Sequence, residues 1–271
     1  IEFLCEIAKP DFGYITNFGK AHLEGFGGEE GVIEGKSEMY NYLSQNDKLA
    51  FINLEDKIQV EKSKTLKSYS FGINKKNANV NISAIAANPF VEIQYSNLLI
   101  QTHLIGLYNA NNINAALTIG KYFGVDEVAI KEALESYIPE NNRSQLITKG
   151  TNQIILDAYN ANPSSMAVAI ENFLQLEQSN KILILGDMFE LGNESQEEHK
   201  TIINSLLDKI GITIYFVGKE FFKNKVESAN FSFFETFDTF SEHLQELKID
   251  TSSILIKGSR GMALERTLNF L

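Results

Sequence analysis

The sequence has little cysteine, arginine or net positive charge. Its one cysteine, Cys5, excludes an internal disulfide bond and a cysteine-based zinc site. Cys5 lies among apolar residues at helical spacing, which predicts a core thiol and not a nucleophile. Three arginines and a net charge of −11 argue against a nucleic-acid-binding surface. No apolar run approaches the roughly 20 residues that cross a bilayer. We therefore expect a cytoplasmic protein, without membrane insertion and monomeric.

What the sequence does contain is a repeated alternation of strand and helix patterns. Its 271 residues, of which 44% are hydrophobic and 22% charged, are enough for two domains. A polar, turn-rich stretch at 139–144 predicts the boundary, giving domains 1–140 and 141–271. Such alternation favours an α/β fold with mostly parallel sheets. Strands are predicted at 12–16, 48–53, 144–149, 152–158, 181–185, 212–217, 231–235 and 253–257, and a β-rich region at 66–106 with a hairpin turn at 95–98. Helices are predicted at 1–8, 29–43, 109–123, 126–137, 163–177, 195–209, 220–227, 238–247 and 260–270.

The first polar motif follows strand 12–16 directly, in residues 17–27. His22 lies within it, and Lys36 follows fourteen residues later. The carboxyl edge of an open α/β sheet is where ligands bind, and histidine is a common metal ligand. Taken alone, however, these residues are better explained by a helix-capping or surface histidine and a solvated lysine. The sequence 35–37 also resembles the end of a phosphate-binding P-loop, but residue 30 is Glu30 and its surroundings predict a helix. We reject that interpretation and find no P-loop elsewhere in the chain.

Several later residues allow both a structural and a binding interpretation. Asn109 and Asn112 begin a helix, where their amides can cap it or hydrogen-bond a base. Arg143 lies in the linker, and Asp157 ends a strand. A further set of polar residues follows strand ends in the second domain.

Asn162 and Pro163 make a regular helix start, a cap that does not need Asn160. Ser259 and Arg260 offer backbone N–H groups and a cation to a carboxylate. We expect Asp187 or Glu190 to receive a substrate ammonium, and His199 and His243 to lie solvated on polar helix faces.

Three segments in this order, residues 17–36, 157–166 and 257–262, resemble the Mur ligases, ATP-dependent enzymes of peptidoglycan synthesis. The resemblance implies part of a central ATP-binding α/β domain followed by a Rossmann-like C-terminal α/β domain. The two later segments are similar to the family member that joins D-alanyl-D-alanine (D-Ala-D-Ala) to UDP-N-acetylmuramoyl-tripeptide through an acyl phosphate. The resemblance therefore implies a role in cell wall biogenesis, cell shape and cell division. The resemblance further implies that a P-loop, an acidic magnesium ligand and a UDP-binding domain precede Ile1 in a longer parent protein. It also implies that this chain alone is inactive.

The resemblance also implies roles for individual residues. His22 and a carbamylated Lys36 would be catalytic and hold Mg²⁺ beside ATP. Asn109, Asn112, Arg143 and Asp157 would bind ATP, and Asn160, Asn162, Ser259 and Arg260 would bind the acceptor dipeptide. Tyr108 stands where the family frequently has histidine.

Two alternatives remain open. Another Mur ligase or a folylpolyglutamate synthase shares the architecture, but residues 160–166 speak against both. A non-catalytic nucleotide-binding or scaffold module would be favoured by loss of His22 or Lys36, and both are present.

Overall fold

Two compact units, Ile1–Tyr137 and Ile138–Leu271, make up the chain. The structure is a computed structural model that describes the backbone of residues 1–271 and every side chain except those of residues 84 and 85. Among the side chains and backbone so described, no helix has both the length and the apolar character needed to span a bilayer.

Unit 1, Ile1–Tyr137, is built on one six-stranded sheet in the order β1-β2-β3-β4-β5-β6. The first four strands are parallel, and β5 and β6 add antiparallel hairpins. The mixed α/β architecture is therefore confirmed for this half. The strands are β1 (Phe12–Tyr14), β2 (Leu49–Asn53), β3 (Lys67–Ile73), β4 (Val80–Ala87), β5 (Phe90–Tyr95) and β6 (Leu98–Ile105); the helices are α1 (Glu2–Ala8), α2 (Leu23–Phe26), α3 (Glu29–Gln45), α4 (Lys57–Lys62), α5 (Asn109–Tyr122) and α6 (Glu127–Ser136).

The helical spacing predicted for α3 is observed. Val32, Tyr40 and Leu43 are buried along one side of the helix, and Tyr40 and Leu43 pack with Ile15 and Ile52 in one core cluster. This packing places the polar residues of α3 next to the segment that follows β1. The hairpin at residues 95–98 is also confirmed, because Tyr95 pairs with Leu98 across it.

Helix α1 carries the only cysteine. Cys5 is the one buried residue of this helix, and burial raises the pKa of its thiol. The prediction of a core thiol is therefore confirmed. Its neighbours Phe3, Leu4 and Ile7 are exposed.

Unit 2, Ile138–Leu271, contains a second six-stranded sheet in the order β11-β10-β9-β12-β8-β7. All neighbouring strands are parallel except β7 and β8. The carboxyl ends of β8, β12 and β9 therefore lie side by side at one edge. The strands are β7 (Gln145–Lys149), β8 (Asn152–Asp157), β9 (Lys181–Gly186), β10 (Ile212–Val217), β11 (Phe231–Phe234) and β12 (Ser253–Lys257); the helices are α7 (Pro163–Gln175), α8 (Ser195–Leu206), α9 (Lys219–Lys223) and α10 (Phe237–Glu246).

The last segment differs from its prediction. Residues 260–270 are not one α-helix but two 3₁₀ helices, Arg260–Met262 and Leu264–Phe270. Ala263, between them, has a left-handed backbone with φ 49°, which interrupts regular helical hydrogen bonding. The short helices α2 and α4 were not predicted from the sequence.

Candidate functional sites

Lys36 lies on α3 with its amino group turned toward the loop after β1. Its Nζ donates a hydrogen bond to the Asn17 carbonyl oxygen at 2.8 Å. The side chain is half-buried, and burial lowers the pKa of Lys36 because it disfavours the ammonium, while the charge of Asp56 acts in the opposite direction. A lysine in this environment supplies more of the neutral amine that carbamylation requires than a solvated lysine does.

His22 begins α2, on the loop that carries Asn17. Its φ of 57° lies in the left-handed region, which histidine tolerates better than most residues. Helix α2 lies directly on α3, since a Cβ on Gly31 would be 1.8 Å from the Phe26 carbonyl oxygen and one on Gly35 2.4 Å from the Phe26 ring. The two glycines therefore let the element that begins at His22 approach the turn of α3 that carries Lys36.

A buried polar network fixes the ends of β1 and β2 beside this loop. Gln59 is fully buried. Its Nε2 donates to the Ile15 carbonyl oxygen at 2.8 Å, and its Oε1 accepts from the Asn53 amide at 3.0 Å. Asp56 caps α4 by accepting from the amides of Ile58 and Gln59. The segment leading to Asn17 is thus held by hydrogen bonds at its base.

Two tyrosine hydroxyls are unsatisfied in the same unit. Within the described part of the chain, the buried hydroxyls of Tyr14 and Tyr40 have no hydrogen-bond partner. Burial raises the pKa of Tyr14 to about 12 and raises that of Tyr40 as well, and the charge of Asp56 adds to both shifts. Both tyrosines therefore stay protonated at neutral pH. The apolar spacing that placed Tyr40 in the core gave no signal of this.

The metal-ligand set supplied by the described residues is small. They contain no group of three or more His, Cys, Asp and Glu side chains able to hold a metal ion. The imidazole of His22 and an oxygen created on Lys36 by carbamylation are donors of the kind a divalent ion accepts. The chemistry of these two residues fits a partial Mg²⁺ site, completed by other ligands such as phosphate oxygens.

The two predicted amides of α5 hydrogen-bond each other. Asn109 is buried and donates from Nδ2 to the Ile105 carbonyl oxygen at 2.8 Å. Its Oδ1 accepts from Asn112 Nδ2 at 2.8 Å. Asn112 is exposed, so Asn109 orients an amide that faces solvent.

Arg143 and Asp157 lie at the carboxyl edge of the unit 2 sheet. The Arg143 guanidinium carbon is 3.6 Å from the centroid of the Tyr159 ring, a cation–π contact. Asp157 accepts hydrogen bonds from the Ser144 amide and from Lys257 Nζ, at 3.0 and 2.5 Å. Lys257 is 2% exposed, and the sequence reading did not single it out.

The predicted helix start at Asn162 is confirmed. Its Oδ1 accepts from the Ser165 amide at 2.9 Å, and the Ser165 hydroxyl accepts from the Asn162 amide, so the two form a capping box. Asn160 is exposed and uses Oδ1 for the Ala161 amide. Of these two asparagines, Asn160 is the more exposed, and the Asn162 side chain is used to cap α7.

Ser259 and Arg260 differ in what they present. Ser259 is 2% exposed, and its hydroxyl donates to the Ala161 carbonyl oxygen and accepts from the Phe189 amide. It ties together the loops that follow β8, β9 and β12. Arg260 is exposed and lies 3.6 Å from Glu265. Arg260 thus offers a cation at this edge, and Ser259 acts by holding the loops.

The prediction for His199 is wrong, and Asp187 is not placed to receive a substrate ammonium. His199 is fully buried. Its Nδ1 donates to the Ser195 carbonyl oxygen and its Nε2 accepts from the Met188 amide. Asp187 is 3% exposed and accepts from the amides of Glu220 and Phe221 at the start of α9.

The other two predicted side chains, His243 and Glu190, differ in their exposure. His243 is half-buried against the rings of Tyr215 and Phe234, so its prediction as solvated is also wrong. Glu190 is exposed on the loop after β9.

Comparison with known families assigns a domain to each half of the chain. The model of the Mur ligase middle domain matches residues 2–120, and that of the Mur ligase, glutamate ligase domain matches residues 142–260. The UDP-N-acetylmuramoyl-tripeptide–D-alanyl-D-alanine ligases of Rickettsia prowazekii and Bacillus subtilis are each 31% identical over the whole chain. The chain spans 63% and 61% of their respective lengths.

Solved structures give the same picture of the fold. A crystal structure of MurF from Acinetobacter baumannii superposes with a TM-score of 0.84 at 27% identity, over 99% of this chain and 60% of that chain. MurF from Thermotoga maritima, solved in complex with ADP, gives a TM-score of 0.81 at 24% identity, over 100% of this chain and 63% of that chain.

Proposed function

Because the chain belongs to the Mur ligase family, we propose that it forms part of a longer, cytoplasmic ATP-dependent ligase that joins D-Ala-D-Ala to UDP-N-acetylmuramoyl-tripeptide. Its curated relatives carry the name of that activity. The observation that carries the proposal is the environment of Lys36. Its side chain is half-buried, its pKa is lowered, and its Nζ donates a hydrogen bond to the loop that bears His22.

In this proposal the tripeptide carboxylate attacks the γ-phosphate of ATP, the bond to the β-phosphate breaks to release ADP, and the carboxylate becomes an acyl phosphate. The amine of the dipeptide then displaces phosphate to form the amide bond. Mg²⁺, when bound, would neutralise charge on the phosphates. His22 would hold it through an imidazole nitrogen, and Lys36 through an oxygen of its carbamate, which replaces a cation by an anionic ligand.

We assign Asn109 and Asn112 to the nucleotide base, with Asn109 orienting the exposed amide of Asn112. Arg143 is assigned to the phosphates because guanidinium binds them in a bidentate manner. Asp157 is assigned to positioning, since its carboxylate is already bonded to Ser144 and Lys257.

For the dipeptide, we assign the carboxylate to the exposed Arg260 and a polar contact to Asn160. Asn162 and Ser259 shape the two loops that carry these residues. The site therefore has two residues that face solvent and two that hold the backbone.

The experiment is to measure phosphate release by the full-length parent protein with each substrate omitted in turn. We expect release to require ATP, the UDP-linked tripeptide and D-Ala-D-Ala together, with the product identified by its mass. Release with an amino acid in place of D-Ala-D-Ala would mean that another ligase activity is correct.

A variant tests the role of Lys36. Lys36→Ala should lose most of this activity and recover part of it with added short carboxylates, because these replace the missing oxygen ligand. The matched control is Lys62→Ala, at an exposed lysine at the end of α4, which should be unaffected. Full activity in Lys36→Ala would remove the carbamate from the mechanism.

A further inference from the structure

Lys257 is a buried cation that the proposed roles leave unexplained. It ends β12, and its Nζ donates to Asp157 Oδ2 at 2.5 Å and to the Asn160 carbonyl oxygen at 3.3 Å. Asp157 ends β8, and the two residues are register partners on neighbouring parallel strands. Removing one member of a buried ion pair leaves the other charge uncompensated, so each of these side chains depends on the other for its position.

The other oxygen of Asp157 reaches the linker. Its Oδ1 accepts from both the amide and the hydroxyl of Ser144, at 3.0 and 3.3 Å. Two residues earlier, the Asn142 carbonyl oxygen accepts from the Tyr159 amide at 3.1 Å. These two attachments flank Arg143, whose guanidinium stacks on the ring of Tyr159.

The backbone of the linker, residues 139–144, adopts a conformation that needs support from surrounding bonds. Asn141, Asn142 and Ser144 all have φ in the left-handed region, at 59°, 59° and 47°. Residues other than glycine rarely adopt this conformation, and it persists when surrounding bonds impose it. The attachments at Asn142 and Ser144 supply such bonds. Lys257 supports both, one through Asp157 and the other through Asn160, the neighbour of Tyr159.

We propose that Lys257 is a positioning residue for Arg143. By pairing with Asp157 and bonding the Asn160 carbonyl, it holds the linker in the conformation that presents the guanidinium at the edge of the unit 2 sheet. The consequence for catalysis rests on the proposed role of Arg143 in ATP binding; the positioning itself does not.

Hydrogen exchange of backbone amides in the 271-residue chain tests the positioning directly. In Lys257→Met, the amides of Ser144 and Tyr159 should exchange about tenfold faster or more, the size expected for the loss of a charge-assisted hydrogen bond. The control is Lys181→Met, at the start of β9 in the same sheet, whose Nζ bonds the Leu174 carbonyl oxygen. Unchanged exchange at both amides, or equal acceleration in the control, would overturn the proposal.

A second variant allows the test to be made if Lys257→Met does not fold. The double variant Lys257→Met/Asp157→Leu leaves no buried charge without its partner. Its readout is the Tyr159 amide, because neither substitution touches its acceptor, Asn142. Exchange there that is faster than in Asp157→Leu alone supports the proposal, because Asp157→Leu by itself already removes the bonds to Ser144, and exchange equal to that single variant refutes it.

Kinetics of the parent protein separate positioning from general destabilisation. Lys257→Met should raise the KM for ATP about tenfold and raise the KM for D-Ala-D-Ala less, because Lys257 also bonds the Asn160 carbonyl whereas the dipeptide carboxylate is assigned to Arg260. A lower kcat with both KM values unchanged would indicate a structural role only, against the proposal. If the wild-type parent shows no ligase activity, the proposed function fails, while the exchange experiment still decides the role of Lys257.

Discussion

Arg260 is the side chain on which the proposed dipeptide site most depends. It is exposed, with Glu265 at 3.6 Å, so a substrate carboxylate competes only with a loosely held partner. In the parent protein, Arg260→Ala should raise the KM for D-Ala-D-Ala by roughly ten- to a hundredfold and leave that for ATP nearly unchanged. Arg266→Ala is the control, because Arg266 is occupied by carbonyl oxygens and the Phe237 ring. An equal rise for both substrates would contradict the assignment.

His199 should make stability depend on pH. Burial lowers its pKa, and the charges of Asp187, Glu220 and Glu198 oppose that shift. The folded state keeps His199 neutral, since its Nε2 accepts from Met188, whereas the unfolded state takes up a proton below its ordinary pKa of 6.5. Stability should therefore fall as pH falls through that value, by at most about 1.4 kcal/mol at one pH unit below it.

The measurement is urea unfolding between pH 7.5 and 5.5 for the wild type and His199→Gln. Burial raises the pKa of the facing Asp187, which acts in the opposite direction on acidification. Asp187 is present in both proteins but lies 3.8 Å from His199, so the difference between them reports the titration of His199 together with its effect on Asp187. Parallel pH profiles would show that folding leaves the protonation of His199 unchanged, against the prediction.

At this scale the sequence identified residue types better than residue environments. Asn162 was recognised as a cap because its partner is three residues away. His199 was misjudged, since its Nε2 accepts from Met188 on the loop after β9, and the bond of Ser259 to Ala161 likewise joins two loops. Such contacts leave no periodic signal in the sequence.

At the scale of elements, the contact of α2 with α3 depends on glycine. Gly31→Ala should destabilise unit 1 by about 1–3 kcal/mol, because its Cβ would collide with the Phe26 carbonyl oxygen. Gly25→Ala is the matched control, since Gly25 is also helical and a Cβ there meets nothing within 4 Å. It should be neutral or stabilising by up to about 1 kcal/mol. Equal urea midpoints for the two variants would refute the close contact.

Long elements were predictable, and short ones were not. Helix α3 and the strands β8, β9 and β12 have apolar patterns several residues long, and their positions are confirmed. Helix α2 is four residues long, too short for periodicity to show. The 3₁₀ helices after Arg260 escaped detection because the backbone of Ala263, and not its side chain, interrupts the helix.

For the whole molecule, we predict that this chain alone does not turn over ATP. Its sequence contains no phosphate-binding P-loop, and the described residues hold no cluster of three or more acidic, histidine or cysteine side chains able to bind a metal. We still expect weak nucleotide binding through Asn112 and Arg143. The check is phosphate release across a gel-filtration peak of the purified chain. Activity that follows the protein concentration through the peak would contradict the prediction.

The α/β architecture of the whole chain was evident from its alternating pattern, and the structural neighbours confirm it. The roles of individual residues came instead from the family resemblance and remain predictions. Periodic burial determines a fold, whereas a ligand site depends on a few side chains brought together from distant loops.

Because Cys5 is the only thiol in the sequence, its chemical modification can report local opening of helix α1. Cys5 is the only buried residue of α1, whose other apolar side chains face outward. Cys5 is 6% exposed and α1 contacts α3, so we expect an alkylating reagent to reach the sulfur mainly when the helix separates from α3. With no other cysteine in the sequence, the rate of alkylation under native conditions would report how often this one helix detaches, without any label or engineered site.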